Sequence, residues 1–221
     1  MSADDFDLLR RHMLAEISAG ALQVSSVIGK PTLDQRVMAA MARVARHEFV
    51  PVELQAYAYA NIPLPIGFDK TVSQPFIVAL MTDLLDIGPG DSVLEIGTGL
   101  GYHAAVLAQL AAKVYSIEIV EELARQAKQR LQRQGCSNVE LRIGNGYHGW
   151  SEHAPFDKVL VAAAPDLIPP PLLQQLKAGG KMVVPAGLPD AQQLMFVEKN
   201  GSGRVTMREI LPVRFSQLEE P

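Results

Sequence analysis

The first third of the chain combines amphipathic helical patterns with one proline-rich stretch. Apolar residues recur three or four positions apart near the start, at Phe6, Leu9, Met13 and Ile17. This spacing places them on one helix face, so an opening amphipathic helix is predicted. Thr32 precedes Gln35 by three residues, the spacing of a capping box, which predicts a second helix that runs to about His47.

The segment from Phe49 to Pro75 carries four prolines, which interrupt regular structure. Its aromatic and apolar residues argue against disorder. We therefore predict a folded surface segment that covers another part of the molecule. A further helix is predicted from Phe76 to Leu85, because the glycines and proline at 88–90 force a turn soon after it.

After residue 90 the pattern changes to short apolar runs that alternate with helical segments. Strands are predicted at Ser92–Ile96, Val114–Ile117, Val139–Ile143, Val159–Val161 and Met182–Val184. Helices are predicted at Tyr102–Leu110, Glu121–Gln134 and Pro171–Leu176. Strands that are separated by helices need crossover connections, which makes a parallel sheet covered on both faces. The predicted fold class is therefore α/β, a doubly wound, mostly parallel sheet with an N-terminal helical extension.

The last part of the chain has the pattern of a hairpin. Two alternating runs, Leu194–Glu198 and Val205–Leu211, flank a turn-forming stretch of asparagine, serine and glycine at 200–203. We predict an antiparallel C-terminal strand pair at one edge of the sheet, and the order of these two strands stays open. The 221 residues, 48% of them hydrophobic, favour one domain over 1–221, with helices and a loop at 1–85 and an α/β core at 86–221.

Charge and cysteine content exclude several function classes. The 20 Lys and Arg residues against 24 Asp and Glu give a formal net charge of -4, which disfavours nucleic acid and anionic lipid as partners. No run reaches the roughly 18 apolar residues of a membrane span, and the acidic N-terminus is unlike a secretory signal. The single cysteine, Cys136, cannot form an internal disulfide, so we expect a cytoplasmic location.

A glycine-rich turn follows the first strand of the predicted sheet. Gly97, Gly99 and Gly101 allow the backbone to turn sharply and to approach a ligand closely, while the amides of the next helix face the same space. Such a turn lies where open α/β sheets bind ligands, although a plain tight turn has the same composition. His103 stands where the dinucleotide fingerprint has its last glycine, which disfavours a nicotinamide oxidoreductase.

Two other strand ends carry polar residues. Glu118 ends the second strand and can accept hydrogen bonds from both hydroxyls of a ribose; its alternative role is a carboxylate at a helix start. Asn145, between Gly144 and Gly146, can offer its carbonyl to an adenine amino group, and a plain turn explains it nearly as well. No metal site is predicted, because His148 and His153 lack further ligands nearby.

Four segments carry a resemblance to a known family: 71–75, 94–99, 144–157 and 163–166. They resemble the class I S-adenosylmethionine-dependent methyltransferases and, within these, the protein-L-isoaspartate O-methyltransferase family. The similarity extends from Asp34 to Phe215. Its most specific part is the T-x-S-x-P element at 71–75, because other methyltransferases with the glycine turn do not need it.

The resemblance implies transfer of a methyl group from S-adenosylmethionine to the free α-carboxylate of an L-isoaspartyl residue in a damaged protein. The methyl ester then closes to a succinimide, and hydrolysis partly restores a normal aspartyl linkage. The implied partners are isoaspartyl-containing proteins and peptides. The oligomeric state stays open, and a monomer is compatible with the sequence.

The resemblance also implies which residues act. Ser73 is the active-site serine, whose hydroxyl binds or orients the substrate carboxylate, and Thr71 supports it on the substrate side. The implied cofactor-binding residues are Glu95, Gly97, Thr98, Gly99, Gly101, Glu118, Asn145 and Gly146. A carboxylate with a pKa near ~4 is ionised at neutral pH, so it needs no general base and positioning carries most of the catalysis.

The sequence departs from the family pattern at several positions. Asn145 stands where Asp is common, His103 where Gln is frequent, Leu100 where small polar residues are frequent, and Ala162 where Thr is frequent. A hydrogen bond to a charged group contributes roughly 1.5 to 3 kcal/mol against about 1 kcal/mol for a neutral one, so we expect weaker cofactor binding but retained activity. Two alternatives stay open: a methyltransferase acting on a small molecule, and a non-catalytic adapter that keeps the fold.

Overall fold

A computed structural model describes residues 2–219 of the chain. Across this range the α-helices are α1 (Ala3–Gln23), α2 (Ser25–Ile28), α3 (Gln35–Arg43), α4 (Pro75–Leu85), α5 (Tyr102–Ala108), α6 (Glu121–Arg133) and α7 (Pro170–Gln175). The strands are β1 (Leu64–Gly67), β2 (Lys70–Val72), β3 (Ser92–Ile96), β4 (Lys113–Glu118), β5 (Val139–Ile143), β6 (Phe156–Val161), β7 (Leu176–Ala186), β8 (Gln193–Lys199) and β9 (Val205–Pro212). Short 3-10 helices lie at Arg46–Phe49, Val52–Tyr57, Gly146–His148 and Ser151–His153.

The main sheet has seven strands in the order β5-β4-β3-β6-β7-β8-β9. Strands β3 to β7 pair in parallel, whereas β8 and β9 are antiparallel to their neighbours. The predicted α/β fold class and the antiparallel C-terminal pair are therefore confirmed, and β9 is the outer strand of that pair. Strands β4 and β5 lie on one side of β3, and β6 lies on its other side, so the strand order reverses at β3. Open α/β sheets bind ligands in the crevice that such a reversal creates.

Two apolar clusters cover the two faces of the sheet. Along β3, Val93 faces one cluster together with α4 and α5, and Leu94 and Ile96 face the other together with Trp150. Side chains of a strand alternate between faces, so both sets of positions have to be apolar when helices or loops cover both faces. This explains why the predicted strands read as continuous apolar runs.

The N-terminal helices differ from the prediction in their ends. Helix α3 begins after Asp34, whose carboxylate accepts a hydrogen bond from the Arg36 N–H at 2.7 Å, so the predicted cap at Thr32 is wrong. The reason is that Asp34 lies directly before the helix and caps it alone. The helix also ends at Arg43 rather than near His47, and a 3-10 turn follows.

The proline-rich segment folds into a 3-10 helix and the hairpin β1–β2. Phe68 and Asp69 form the hairpin tip, both in the left-handed backbone region, with φ of 56° and 55°. Ile66 and Lys70 line a cavity at the main sheet, so the interpretation of this segment as a cover is confirmed. Within residues 2–219, no helix has the length and apolar character needed to cross a bilayer.

Candidate active site

A cavity lies beyond the carboxyl ends of the parallel strands. Three parts of the chain line it: the strand ends and the loops that follow them, the β1–β2 hairpin with the loop after it, and the segment from Phe215 to Glu219. Concave sites at this edge, where the strand order reverses, are where open α/β sheets bind ligands. The cavity is therefore the candidate active site.

The glycine-rich turn forms the floor of this cavity. Gly97 and Gly99 have φ of 91° and 57°, in a backbone region that residues with a side chain rarely adopt. A Cβ on Gly97 would lie 3.4 Å from the Ala162 carbonyl oxygen, so the turn packs closely on the next strand. The backbone of the turn is consequently open to the cavity.

The Glu118 carboxylate lies beside the glycine turn and is held by two backbone groups. Its Oε2 accepts a hydrogen bond from the Gly99 N–H at 2.7 Å, and its Oε1 accepts one from the Val120 N–H at 2.9 Å. The residue is buried, yet it lines the cavity. Each carboxylate oxygen can accept more than one hydrogen bond, so the group remains able to bind two hydroxyls of a ligand.

Asn145 and Gly146 line the cavity after β5. The Asn145 Oδ1 accepts a hydrogen bond from the Tyr147 N–H at 2.9 Å and so caps the 3-10 helix that follows. A Cβ on Gly146 would lie 2.2 Å from the Ile96 Cγ2 atom, too close for any side chain. The glycine is therefore required by its packing against β3, and the asparagine has a local structural role whether or not it also contacts a ligand.

Ser73 lies where two spaces meet. It follows β2, and it lines both the main cavity and an adjacent open groove. Thr71 also lines both spaces, and Ile77, Val213 and Arg214 line the groove. A group bound in the groove can therefore meet a group bound in the cavity at Ser73.

The family model described as Protein-L-isoaspartate(D-aspartate) O-methyltransferase matches residues 25–220. This chain belongs to the protein-L-isoaspartate O-methyltransferase family. It is 66% identical to Protein-L-isoaspartate O-methyltransferase 1 of Polaromonas sp. over 100% of this chain and 93% of the relative. It is 57% identical to Protein-L-isoaspartate O-methyltransferase 2 of Syntrophobacter fumaroxidans, over 98% and 89% of the two chains.

Solved structures agree with this family assignment. A protein-L-isoaspartate O-methyltransferase structure superposes with a TM-score of 0.78 at 28% identity, covering 90% of this chain and 66% of that one. A Plasmodium falciparum structure with the same family name, in complex with S-adenosyl-L-homocysteine, superposes with a TM-score of 0.75 at 22% identity over 95% and 98% of the two chains. The second similarity supports the fold, and together with the family match it confirms the predicted class I methyltransferase type.

The structure brings most of the predicted site residues of this family member to one place. The main cavity is lined by Thr71, Ser73, Gly97, Gly99, Glu118, Asn145 and Gly146. Thr98 lines a smaller neighbouring cavity together with Ser73 and His103. Two predicted cofactor-binding residues, Glu95 and Gly101, line neither space, so their placement does not support a direct contact.

Glu95 lies beneath the glycine turn instead of facing the cavity. It is fully buried, and its carboxyl group accepts a hydrogen bond from the Ser116 hydroxyl, which lies 2.6 Å from the Thr98 Oγ1. Burial raises the pKa of Glu95 to about 8, and the nearby Glu118 acts in the same direction. The link from Glu95 through Ser116 to Thr98 ties β3 and β4 to the turn, so Glu95 supports the site from below.

The packing of two helices explains why residue 101 is a glycine. Gly101 has φ of 94° and directly precedes α5, and a Cβ there would lie 3.1 Å from the Leu131 side chain of α6. The residue therefore allows α6 to pack on the start of α5. This contact between helices explains the third glycine of the turn without a ligand.

His103 is buried at the start of α5. Its Nε2 lies 3.0 Å from the Thr82 Oγ1, which itself donates to the Val78 carbonyl, so Nε2 carries the hydrogen and Nδ1 is the acceptor. Burial lowers the pKa of His103 to about 3, with a smaller effect from Arg46. The side chain is consequently neutral at physiological pH and adds no charge to the site.

Sequence reasoning missed the part of the cavity wall formed by the segment 215–219. This segment crosses the carboxyl edge of the sheet, where the Ser216 carbonyl accepts a hydrogen bond from the Ala164 N–H at 2.8 Å. The Leu218 N–H donates to the Ala164 carbonyl at 2.9 Å. Lys70 and Ile66 of the hairpin were also missed. No local pattern marks these residues, because only the tertiary fold brings them to the strand ends.

Proposed function

We propose that this chain transfers a methyl group from S-adenosylmethionine to the α-carboxylate of L-isoaspartyl residues in damaged proteins and peptides. The observation that carries the proposal is the position of Ser73, between the cavity of the glycine turn and an open groove. A donor bound in the cavity and a peptide bound in the groove meet there. Family membership supports the same reaction.

The cavity fits the donor. The backbone at Gly97 and Gly99 is free of side chains where it faces the cavity, Glu118 presents a fixed carboxylate to a ribose, and Asn145 and Gly146 lie at the next strand end toward an adenine. When bound, the donor supplies a methyl group on a positively charged sulfur. Glu118 and the backbone of the turn hold the donor in one orientation. This is the main requirement of an in-line displacement, in which the attacking oxygen, the methyl carbon and the sulfur are aligned.

The acceptor needs no proton transfer. An isoaspartyl α-carboxylate has a pKa near ~4 and is ionised at neutral pH, so a carboxylate oxygen attacks directly. The new oxygen–carbon bond forms as the carbon–sulfur bond breaks, and the electron pair of that bond goes to the sulfur. Ser73 donates its hydroxyl hydrogen bond to the carboxylate and orients it. After release, the nitrogen of the following peptide bond attacks the ester carbonyl carbon, and methoxide leaves with the proton of that nitrogen as methanol. The resulting succinimide is then opened by hydrolysis.

The finer parts of the proposal concern organisation and location. We treat residues 1–85 as the substrate side and 86–221 as the S-adenosylmethionine-binding core of one methyltransferase domain. The lining supports this division, since Ser73 and the hairpin come from the first part and Gly97, Glu118 and Asn145 from the second. A cytoplasmic location is supported by the free Cys136, whose half-buried thiol suits a reducing compartment.

The test is methyl transfer from labelled S-adenosylmethionine to an isoaspartyl peptide and to its normal aspartyl twin. We expect transfer to the first peptide only. Ser73→Ala should lower turnover on that peptide while the affinity for S-adenosylhomocysteine is kept. If neither peptide is methylated but S-adenosylhomocysteine still binds, a methyltransferase with a small-molecule acceptor is favoured. If S-adenosylhomocysteine does not bind, the non-catalytic adapter is the remaining alternative. Equal turnover by Ser73→Ala would remove Ser73 from the mechanism.

A further inference from the structure

A fully buried arginine, Arg46, lies behind the Ser73 loop. It is the first residue of the 3-10 helix that follows α3. Its Nη2 donates a hydrogen bond to the Ser73 carbonyl oxygen at 2.8 Å, and its Nε donates to the Ala58 carbonyl at 2.7 Å. The guanidinium thus joins two loops and fixes the backbone of Ser73, which lines the candidate active site.

The charge of Arg46 lacks the usual compensation. No carboxylate among residues 2–219 forms an ion pair with it, and its aromatic neighbour is the neutral side chain of Tyr102. The guanidinium lies over the Tyr102 ring, 4.6 Å from its centroid, and its Nη1 has no hydrogen-bond partner in the described range. Burial lowers the pKa of Arg46, but an arginine stays protonated in proteins. A buried cation without an anion is costly, which calls for a functional explanation.

We propose that Arg46 is a positioning residue for the acceptor carboxylate, because it holds the Ser73 loop by its carbonyl and places a positive charge behind it. An anionic acceptor bound at Ser73 is then favoured over a neutral group of the same shape. The interaction is strengthened by the apolar surroundings of the guanidinium, where charges are poorly screened. This inference rests on the proposed function, since it concerns the same acceptor.

Arg10 provides a matched control. It also donates to a backbone carbonyl, that of Ala42 at 3.2 Å, and it also lies over an aromatic ring, 5.6 Å from the centroid of Tyr59. Unlike Arg46, it has a carboxylate, that of Asp7, 3.5 Å away, and it is partly exposed. Its hydrogen bonds go to Ala42 and Tyr59 rather than to the Ser73 loop. Removing Arg10 therefore perturbs the same region without changing the charge behind Ser73.

The experiment compares the binding of an isoaspartyl peptide with that of its α-carboxamide analogue in the presence of S-adenosylhomocysteine, so that no transfer occurs. We expect wild type and Arg10→Gln to prefer the carboxylate. Arg46→Gln keeps hydrogen-bond donors but loses the charge, and its preference should fall about tenfold. Arg46→Lys keeps the charge and should retain most of the preference. The affinity for S-adenosylhomocysteine alone should stay within about twofold of wild type in all variants.

Several outcomes would overturn the inference. These are an unchanged preference in Arg46→Gln, an equal fall in Arg46→Gln and Arg10→Gln, or a fall in Arg46→Lys as large as in Arg46→Gln. If Arg46→Gln does not fold, Arg46→Lys decides: one ammonium cannot hold both carbonyls in the guanidinium geometry, so the KM for the peptide should rise several-fold at unchanged S-adenosylhomocysteine affinity, and an unchanged KM contradicts the proposal. A wild-type protein that methylates no isoaspartyl peptide would instead contradict the proposed function.

Discussion

At the scale of single residues, the site depends on polar groups whose orientation is fixed before a ligand binds. Glu118 is held by the N–H groups of Gly99 and Val120, and Asn145 by the N–H of Tyr147. A ligand that meets such groups does not have to order them, so less of its binding energy is lost. Substitutions that remove these polar groups should therefore weaken the binding of a ligand that contacts them.

Glu118→Gln tests the predicted ribose contact. The amide has one acceptor oxygen where the carboxylate has two, so it cannot serve both backbone donors and both hydroxyls. We expect the affinity for S-adenosylhomocysteine to fall by at least about tenfold in isothermal titration. Glu121→Gln is the matched control, because Glu121 is a neighbouring carboxylate at the start of α6 with 71% of its side chain exposed. Equal effects of the two substitutions would remove Glu118 from cofactor binding.

Asn145→Asp tests the expectation that the asparagine weakens cofactor binding. An aspartate keeps the hydrogen bond from the Tyr147 N–H and adds a charge toward the adenine amino group. We expect tighter S-adenosylmethionine binding, by several-fold, because hydrogen bonds to charged groups contribute roughly 1.5 to 3 kcal/mol against about 1 kcal/mol for neutral ones. The dissociation constant measures this directly. An unchanged or larger value would show that the asparagine does not limit affinity.

At the scale of elements, the sequence predicts those whose signal is local. The bounds of β3 and β5 agree with the prediction at both ends, because continuous apolar runs bounded by turns define them. Strands β1 and β2 have four and three residues and pair with each other alone, so no periodicity marks them. Glu95 shows another limit of sequence-based prediction. It stands just before the glycine turn, within a segment that carries the family resemblance, and was therefore predicted to bind the cofactor, but only the pairing of β3 with β4 shows that it faces Ser116.

The link between β3 and β4 predicts a pH dependence of stability. The pKa of Glu95 is raised to about 8 in the folded chain, above its value of 4.5 when exposed. The folded state then binds more protons between these two pKa values, so the contribution of Glu95 to stability is present at low pH and is lost as the pH rises toward 8. Every tenfold difference in proton affinity between the folded and unfolded chains corresponds to about 1.4 kcal/mol of stability.

Urea unfolding at pH 5.5 and pH 8.5 checks this dependence. The Glu95→Gln variant has a neutral group of the same shape, so its free energy of unfolding should fall less between the two pH values than that of wild type. Other titrating groups are common to both proteins and cancel in the comparison. Identical pH dependence in the two proteins would mean that Glu95 is not protonated in the folded state.

At the scale of the whole molecule, the cavity joins parts of the chain that are far apart in sequence. The hairpin and Ser73 come from before the first strand of the main sheet, and the segment 215–219 comes from after its last. The strand ends were predictable, since parallel strands in an α/β sheet share one carboxyl edge. The position of the segment 215–219 was not predictable from the sequence, because a single parallel bridge between Ala164 and Gln217 fixes it.

Leu218→Ala tests the contribution of this segment. Leu218 is buried, lines the cavity and packs in the cluster that contains Ile96 and Ile117. Its truncation removes part of the cavity wall, so we expect weaker S-adenosylhomocysteine binding, by several-fold, as for the loss of roughly 1 kcal/mol of apolar contact. Leu188→Ala, at an exposed leucine, should leave affinity unchanged. A Leu218→Ala protein that binds as wild type does would show that the segment does not contact the donor.

The groove beside Ser73 has a consequence for the choice of targets. Two parts of the chain line it, Pro63 with Gln74 and Ile77 from before the main sheet and Pro212 to Phe215 from after its last strand. An open groove of this kind admits an extended stretch of polypeptide more readily than a residue that is held within a folded helix or sheet. We therefore expect a damaged residue to become a target once the segment around it is locally unfolded, whichever protein carries it.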